Sequence, residues 1–438
     1  MTPVHSAAVS EANQRRVAGG LADLGIAEGE RIVLATGGST DYVDVVLAAT
    51  RSGVVPVPLD PRLTPYERDA IVAEVEPRLV IDSPDALAGL VGAANEADLA
   101  TWPRCRPMHF TSGTTGRPKG VWSGLLTSEH AEALQCEERD LWGFRDDDLD
   151  LVVSPVYHSA PLRFAMGTLL AGGSVAVLPR FDAAAFVDAV DTLHPTTAFV
   201  VPAHLQRILG HLDETGRTLD TSSFRLLAHA GAPCPEPVRR RTYALFGSDV
   251  VWEFYGSTEG QFTACASDEW LQHPGTVGRA RPGRVLTVDG DDQLWCAVPP
   301  WARFEYWRDP ERTAQTWRET SDGPAFTVRD LGRIDAEGFV YLDARRDDLV
   351  ISGGVNVYPA EVEAALEDVD GLVEIAVYGV ADEHWGQRVC AAYVGDVPEQ
   401  ALRARATERL SPPKRPKQYV RVDALPRTAT GKVRRREL

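Results

Sequence analysis

A short segment at residues 108–121, MHFTSGTTGRPKGV, combines the residue types that bind phosphate groups. Its three glycines allow close approach of the backbone to a ligand, and its hydroxyl side chains and backbone N–H groups can bind phosphate oxygens. Lys119 adds a positive charge. Gly120 follows this lysine, where a Walker A loop has a Ser or Thr that binds Mg²⁺. The segment therefore predicts a phosphate-binding loop of another kind.

The use of lysine along the chain is a second chemical signal. Of 45 basic residues only four are lysine, namely Lys119, Lys414, Lys417 and Lys432. Arginine serves elsewhere, so each lysine is a candidate for a role that needs a compact point charge instead of a planar fork. Lys414 and Lys417 lie in a proline-rich loop and are expected to be ordinary solvated side chains. Lys119 and Lys432 therefore remain the candidates for a role that needs a compact positive charge.

The string TSGTTGRPKG resembles the signature of the adenylate-forming superfamily, which contains acyl-CoA synthetases, peptide-synthetase adenylation domains and luciferases. Further segments similar to that family's motifs follow in the same order. They are HAGAPCP (229–235), YGSTEG (255–260), RDLGRIDAEGFVYLDARRDD (329–348), ISGGVNVYPAEVE (351–363) and LPRTATGKVRRREL (425–438). The resemblance covers essentially the whole chain and implies an enzyme that adenylates an acid with ATP.

The resemblance implies a nucleotide site assembled from these segments. In it a loop lines the adenine, a tyrosine packs on the adenine face, and an aspartate accepts hydrogen bonds from both ribose hydroxyls. The implied ATP-binding residues are Thr111, Ser112, Gly113, Thr114, Thr115, Lys119, Gly231, Ala232, Pro233, Tyr255, Gly256, Asp330 and Arg345. Glu259 is the implied Mg²⁺ ligand. The metal segment lies at the end of the strand-like run at 250–256, and α/β sheets place ligands at strand C-termini.

The resemblance also implies a two-step reaction with domain rotation. The implied catalytic residues are Lys432, Thr258, Glu259 and His158. Asp347 falls at the family's hinge, and Gly353 and Gly354 fall in the loop that lines the tunnel for the pantetheine arm of CoA. This version of the loop is similar to that of CoA ligases, so a thioester product with CoA as co-substrate is expected.

The acid pocket is expected to be lined by residues 155–164, 201–205 and 229–232, which contain His158, His204 and His229. Two alternatives to an acyl- or aryl-CoA ligase stay open. One is a diazotase that activates nitrite and transfers it to an arylamine in natural-product biosynthesis, since only 110 residues precede the phosphate loop and the N-terminal region is short for the family. The other is a non-catalytic nucleotide-binding module.

The elements that must position these residues follow from periodicity. Short apolar runs at 31–36, 54–59, 78–82, 150–154, 174–179, 197–202 and 250–256 alternate with helical patterns such as TDYVDVVLAATRSG and DAAAFVDAVDTL. This alternation predicts an α/β fold with βα-layered parallel sheets. We expect an N-terminal AMP-binding domain at 1–345, with a β subdomain at 276–345. A small mobile α+β domain is expected at 346–438.

Composition excludes several classes of protein. The formal net charge of −18 disfavours binding to nucleic acid or to an anionic membrane. No stretch has the length and apolarity of a signal peptide or membrane span, so we expect a cytoplasmic protein. The six cysteines show no metal-binding spacing and are expected to be reduced. The partners are therefore small molecules, and the oligomeric state, monomer or homodimer, stays open.

Overall fold

The structure is a computed structural model that describes residues 2–63, 65–111, 119–345, 350–352, 355–382, 386–410, 412, 414–428 and 431–438. The helices, numbered in chain order, are α1 (Ala7–Asp23), α2 (Thr40–Arg51), α3 (Pro65–Val75), α4 (Pro84–Val91), α5 (Ser128–Trp142), α6 (Ser159–Leu170), α7 (Ala183–Leu193), α8 (Pro202–Thr215), α9 (Glu236–Phe246), α10 (Ser267–Gln272), α11 (Pro310–Thr316), α12 (Pro359–Leu366) and α13 (Glu399–Arg409).

The strands are β1 (Val4–Ser6), β2 (Arg31–Leu34), β3 (Val55–Pro58), β4 (Leu79–Ile81), β5 (His109–Thr111), β6 (Lys119–Trp122), β7 (Leu149–Val152), β8 (Ser174–Val177), β9 (Thr197–Val200), β10 (Leu226–His229), β11 (Val251–Glu253), β12 (Thr263–Ala266), β13 (Arg279–Ala280), β14 (Val285–Val288), β15 (Leu294–Ala297), β16 (Glu305–Tyr306), β17 (Trp317–Thr320), β18 (Gly323–Phe326), β19 (Asp330–Ile334), β20 (Val340–Arg345), β21 (Val350–Ser352), β22 (Val355–Val357), β23 (Leu372–Asp382), β24 (Gly386–Gly395) and β25 (Gln418–Arg421).

By packing, the chain divides into two units. The larger unit comprises Met1–Val285 and Cys296–Phe326, and the smaller comprises Leu286–Trp295 and Thr327–Leu438. Residues 286–295 and 327–345 thus belong to the smaller unit. Within it, β19 pairs with β20, and α12 packs on β20. The predicted mobile-domain boundary at 345/346 stays a prediction.

An eight-stranded sheet in the order β1-β8-β7-β9-β10-β11-β12-β13 organises the larger unit. The five strands β8, β7, β9, β10 and β11 run parallel, whereas β1, β12 and β13 pair antiparallel at the two edges. Helices connect the parallel strands, so apolar side chains on both faces are buried. Val175 and Val177 face one core, and Ala176 faces the other. The predicted α/β fold class with parallel sheets is confirmed.

Two smaller sheets complete the larger unit's framework near the phosphate-loop segment. Strands β3, β2 and β4 form a parallel sheet, and β16, β6 and β5 form an antiparallel one.

The local sequence explains where two of the helices begin. Ser39 caps α2 by accepting a hydrogen bond from Tyr42 N, and Asp182 caps α7 by accepting one from Ala185 N.

The smaller unit contains a sheet in the order β22-β21-β24-β23, with β25 parallel to β24. The long hairpin of β23 and β24 contains the apolar runs EIAVYGV and RVCAAYV. Helices α12 and α13 cover the sheet through Val362, Leu366 and Leu402. In the part of the chain described, no helix has the length and apolarity needed to cross a membrane.

Candidate active site

The turn that follows β11, YGSTEG, reverses the chain within six residues. Ser257 N donates a hydrogen bond to Gly260 O at 2.8 Å, and Gly256 bridges to Gln261. A Cβ on Gly256 would lie 2.9 Å from Gln261 Cα and from Gly260 O, so the close approach of the two backbones requires glycine. The turn fixes the two residues after Ser257 at the C-terminal end of a parallel strand, where α/β sheets bind ligands.

Those two residues are Thr258 and Glu259, and the second is held by a tyrosine. Glu259 is buried, and its Oε1 accepts a hydrogen bond from the Tyr306 hydroxyl at 2.8 Å. Burial and the Glu259 carboxylate raise the pKa of Tyr306, which keeps the hydroxyl a donor. The Lys119 Nζ lies 5.4 Å from the centre of the Tyr306 ring. Strand β16 therefore links the predicted metal ligand to the predicted phosphate-binding lysine.

The predicted adenine loop lies beside this turn. Strands β10 and β11 are parallel neighbours, and Phe254 N donates a hydrogen bond to His229 O at 3.1 Å where both strands end. Residues 231–233 follow β10 directly, so this loop and the turn share one edge of the sheet. The Tyr255 ring stacks on Phe262, with centroids 4.7 Å apart. The predicted adenine contacts of these residues stay predictions.

A cavity of about 130 Å³ lies within the larger unit and borders the turn. Ser257, Thr258, Glu259 and Gly260 form part of its wall. Apolar side chains form another part, and they include Leu134, Leu162, Met166, Leu170, Val298 and Phe326. A concave, largely apolar space with a few convergent polar groups is typical of a small-molecule site. The cavity is therefore our candidate for the acid pocket.

Buried ion pairs form the polar part of the cavity wall. Arg281 Nη1 lies 2.8 Å from Glu138 Oε1, and Arg163 Nε lies 3.4 Å from Glu138 Oε2 without hydrogen-bond geometry. Burial alone would raise the pKa of Glu138, but the charges of Arg163 and Arg281 outweigh burial and lower this pKa to about 2. Glu138 is therefore ionised at neutral pH.

Two further arginines extend this group. Arg284 makes two hydrogen bonds of 3.1 Å to the carboxylate of Glu137, which also lies 3.8 Å from Arg281. Arg106 lines the cavity too, and burial, together with the charges of Arg284 and Arg163, lowers its pKa to about 10. We refer to Arg106, Arg163, Arg281, Arg284, Glu137 and Glu138 as the cavity cluster.

The three histidines predicted for the acid pocket do not line this cavity. His158 begins α6 and packs on Tyr157, His204 stacks on Phe181 with ring centroids 3.8 Å apart, and His229 is fully buried in β10. Burial lowers the pKa of each imidazole to about 4, so all three are neutral at pH 7. Their assignment to the substrate pocket stays a prediction that the described cavity does not support.

The smaller unit contains the predicted ribose and lysine residues. Asp330 begins β19 and pairs with Arg345 across the hairpin, as the family pattern requires. Lys432 is exposed, and its backbone N–H donates a hydrogen bond to Thr428 Oγ1 at 3.1 Å. Arg435, three residues further on, pairs with Glu363 at 2.8 Å. The catalytic role of Lys432 stays a prediction.

Several predicted residues lie outside the described residues. They are Ser112, Gly113, Thr114, Thr115, Asp347, Gly353 and Gly354. Of Thr111 and Arg345 only the backbone is described, with Thr111 pairing to Lys119 across strands β5 and β6. Their predicted roles are unchanged.

Sequence reasoning missed Tyr306 and the cavity cluster. Tyr306 stands in FEYWRDPERTA, and Arg281 and Arg284 stand in RARPGRV at 279–285. Tyr306 reaches Glu259 only in the folded chain, through a hydrogen bond between residues 47 positions apart. The signal that could have found the arginines is their density around position 281, where the chain has Arg279, Arg281 and Arg284.

The residues at the turn fit an Mg²⁺ ion of the kind that nucleotides carry. Such ions are usually held by one or two carboxylates together with substrate phosphates. Glu259 borders the cavity, and the Tyr306 hydrogen bond occupies one lone-pair position of one carboxylate oxygen. The described residues contain no group of three or more His, Cys, Asp and Glu side chains arranged as a metal site. Glu259 is thus the candidate ligand.

Comparison with known proteins places this geometry in a family. The model of the AMP-binding enzyme family matches residues 10–298, and the model of the AMP-binding enzyme C-terminal domain matches residues 361–432. The chain is 31% identical over 459 residues to the long-chain-fatty-acid–CoA ligase FadD13 of Mycobacterium tuberculosis, covering 95% of this chain and 89% of the relative. It is 31% identical over 475 residues to an indoleacetate–CoA ligase of Aromatoleum aromaticum, covering 96% and 90%.

Solved structures agree with this assignment. ATP-bound MatB from Rhodopseudomonas palustris matches with a TM-score of 0.83 and 31% identity, over 98% of this chain and 91% of MatB. The o-succinylbenzoate CoA synthetase MenE from Bacillus subtilis shares the fold, with a TM-score of 0.84 and 24% identity over 98% and 92%. The chain therefore belongs to the AMP-binding enzyme family, the adenylate-forming superfamily that its motifs resemble, and it is an AMP-forming ligase.

Proposed function

We propose that this protein is an acyl- or aryl-CoA ligase, which adenylates a carboxylic acid with ATP and transfers the acyl group to CoA. The observation that carries the proposal is the cavity at the YGSTEG turn, where Thr258 and Glu259 meet an apolar wall. The relatives named above support the thiol acceptor, because two of them are CoA ligases. They give no support to the nitrite alternative.

In the first half-reaction a carboxylate oxygen attacks the α-phosphorus of ATP, and pyrophosphate leaves. The barrier lies in bringing two anions together and in the charge that develops on the phosphate oxygens. Lys119 and Lys432 supply positive charge to the phosphates in this proposal, and Thr258 donates its hydroxyl. When bound at Glu259, Mg²⁺ supplies charge neutralisation to the phosphates. Tyr306 orients the Glu259 carboxylate.

In the second half-reaction the thiol of CoA attacks the carbonyl carbon of the acyl-adenylate, and AMP leaves. A rotation about Asp347 exchanges Lys432 for the Gly353 and Gly354 loop, which admits the thin pantetheine arm because glycine allows close backbone approach. Asp330 accepts hydrogen bonds from the ribose hydroxyls in both steps. In this proposal the same site uses ATP in the first half-reaction and CoA in the second.

Mass spectrometry of the products tests the proposal. The purified protein is incubated with ATP, Mg²⁺, CoA and a panel of fatty, aryl and dicarboxylic acids, and a parallel reaction replaces the acid with nitrite and aminobenzoates. We expect AMP and an acyl-CoA thioester with at least one acid. A nitrogen–nitrogen bonded product in the parallel reaction, with no thioester from any acid, would contradict the proposal.

The Lys432→Ala variant separates the two half-reactions. Loss of one such charge typically costs on the order of 3 kcal/mol, about a hundredfold in rate, so adenylation should fall by that factor. Thioester formation from preformed acyl-adenylate should be retained. The matched control is Lys414→Ala, since Lys414 pairs with Glu361 at the surface of the same unit. An equal loss of both steps in Lys432→Ala would refute the assigned role.

A further inference from the structure

The cavity cluster contains more positive than negative charge. Its four arginines face two glutamates, and arginine stays protonated at any physiological pH. Even if Glu259, the candidate metal ligand, is counted with the cluster, one positive charge is left over. Buried charges are normally paired, because an uncompensated charge away from water is costly. The excess therefore indicates that an anion belongs in the cavity.

Arg106 is the member that lacks a carboxylate partner. Across the described residues its guanidinium makes a single hydrogen bond, at 3.3 Å to Arg303 O, and no ion pair. By contrast, Arg281 and Arg284 are held by Glu137 and Glu138 at 2.8 to 3.1 Å. A planar guanidinium with unused donors matches a carboxylate in a two-point contact. Arg106 is thus the side chain best placed to receive a ligand carboxylate.

The same cavity has a reacting end and an apolar section. Thr258 and Glu259 stand at the turn where the carboxyl group to be adenylated must bind. Leu162 and Met166 belong to the apolar wall, which suits a hydrocarbon or aryl spacer. Adenylation converts the reacting carboxylate into a neutral acyl group, and the phosphate that keeps a negative charge belongs to the nucleotide at the turn. The unpaired guanidinium of Arg106 therefore still calls for an anion, which a second anionic group on the substrate supplies.

We infer that the acid substrate is a dicarboxylic acid, whose second carboxylate binds to the cavity cluster with Arg106 as its principal contact. This inference rests on the proposed function, because it names the substrate class of the same site. A site built to pair with a polar group discriminates strongly against an analogue that lacks the group, since its own charges are then left unpaired.

Matched acids test the inference with the full chain. Succinate, adipate, suberate and terephthalate are each compared with the monocarboxylic acid of the same carbon skeleton, namely butyrate, hexanoate, octanoate and 4-methylbenzoate. The readout is kcat/KM for thioester formation with ATP and CoA. For the pair that fits best we expect the dicarboxylate to be preferred about a hundredfold or more. A preference for the monocarboxylate in every pair would overturn the inference and leave the proposed function intact.

The Arg106→Met variant locates the contact. It should reduce the ratio of kcat/KM for the preferred dicarboxylate to that of its monocarboxylate by about tenfold to a hundredfold, and Arg106→Lys should restore part of the ratio. Arg104→Met is the matched control, because Arg104 pairs with Glu28 at 2.8 Å and does not line the cavity. The control should keep the wild-type ratio.

The outcomes distinguish the two proposals. An unchanged ratio in Arg106→Met would overturn the inference, as would an equal drop of both activities, which indicates a structural role only. Absence of AMP and thioester with all eight acids of the panel and with the wider fatty and aryl set would overturn the proposed function, and the inference would fall with it. Thioester formation from monocarboxylates alone overturns only the inference.

Discussion

Two groups of buried arginine and glutamate lie in the larger unit, and their charges balance differently. One is the strand cluster of Arg239, Glu253 and His229. Arg239 makes two hydrogen bonds to the Glu253 carboxylate, at 2.6 and 3.0 Å, and its guanidinium lies 4.6 Å from the centre of the Trp270 ring. One cation meets one anion, and neither residue lines the cavity described above.

The cavity cluster has the same residue types but an excess of cation and an open side. Arg163 lies over the Phe254 ring at 5.2 Å, yet its ion-pair partner Glu138 is shared with Arg281. Removing one partner of a balanced buried pair leaves a charge without its counter-charge, which destabilises the fold. The strand cluster is therefore interpreted as structural, and the cavity cluster, with its excess positive charge, stays our proposed substrate contact.

Removing Arg239 should give the largest effect on stability. Arg239→Met leaves the Glu253 carboxylate buried without its cation, so the free energy of unfolding should fall by about 3 to 5 kcal/mol. Urea unfolding followed by tryptophan fluorescence measures the change. The ratio of dicarboxylate to monocarboxylate turnover should stay that of the wild type, because Arg239 does not line the cavity.

Two variants control this prediction. Arg240→Met removes the neighbouring arginine, whose pair with Glu236 is exposed, and should cost no more than about 1 kcal/mol. The double variant Arg239→Met with Glu253→Met removes both charges and should recover most of the lost stability. If the double variant is no more stable than Arg239→Met, the loss does not come from an unpaired charge.

The pH dependence of stability should also include a contribution from the strand cluster, because His229 is one of three histidines whose pKa is lowered by burial to about 4. Burial lowers the pKa of His229 to about 4 in the folded protein, against 6.5 when unfolded. Between these pH values the unfolded chain binds a proton that the folded chain does not, so stability is complete above pH 6.5 and is lost as the pH falls toward 4. The pKa difference corresponds to at most about 3 kcal/mol.

His229→Leu removes this titration. Neither ring nitrogen of His229 makes a hydrogen bond in the described part of the chain, so an apolar side chain leaves no partner unsatisfied. The free energy of unfolding, measured in urea at several pH values, should fall less steeply between pH 6.5 and 4 than in the wild type. His194→Asn, which removes an exposed histidine, should leave the wild-type slope. Equal slopes in His229→Leu and wild type would exclude His229 as the source.

Motif and periodicity predicted much of this molecule. The predicted βα alternation matches β2, β3, β4, β7, β8, β9 and β11, whereas β10 was not predicted. Asp330 pairs with Arg345 across the hairpin of β19 and β20. Helix α1 was not predicted, because its apolar residues follow no strong helical period and its buried face includes Ser10, Asn13 and Gln14. Some predicted strands extended too far, since Val201 and Pro202, at the end of the run 197–202, already belong to the next turn and helix.

The cavity cluster could not be predicted, and the reason lies in the composition. Scarcity of lysine made Lys119 and Lys432 visible, whereas the abundance of arginine concealed the arginines that line a cavity. Arg106 precedes β5, Arg163 lies in α6 and Arg281 follows β13, so these three arginines meet only through tertiary packing around the cavity. Tyr306 was hidden because its hydrogen bond to Glu259 joins residues that lie 47 positions apart in the chain.

Arg284→Met should destabilise the protein less than Arg239→Met but change substrate choice more. Glu137 keeps Arg281 at 3.8 Å after the substitution, so the loss in the free energy of unfolding should be about 1 to 2 kcal/mol. The cluster then carries one positive charge fewer, and the turnover ratio of dicarboxylate to monocarboxylate should drop severalfold. Urea unfolding and paired kcat/KM measurements on one preparation test both parts. The opposite outcome is a loss of stability equal to that of Arg239→Met, together with an unchanged turnover ratio of dicarboxylate to monocarboxylate. It would mean that both clusters only stabilise the fold, because a cluster that binds the substrate alters substrate choice when its charge is reduced.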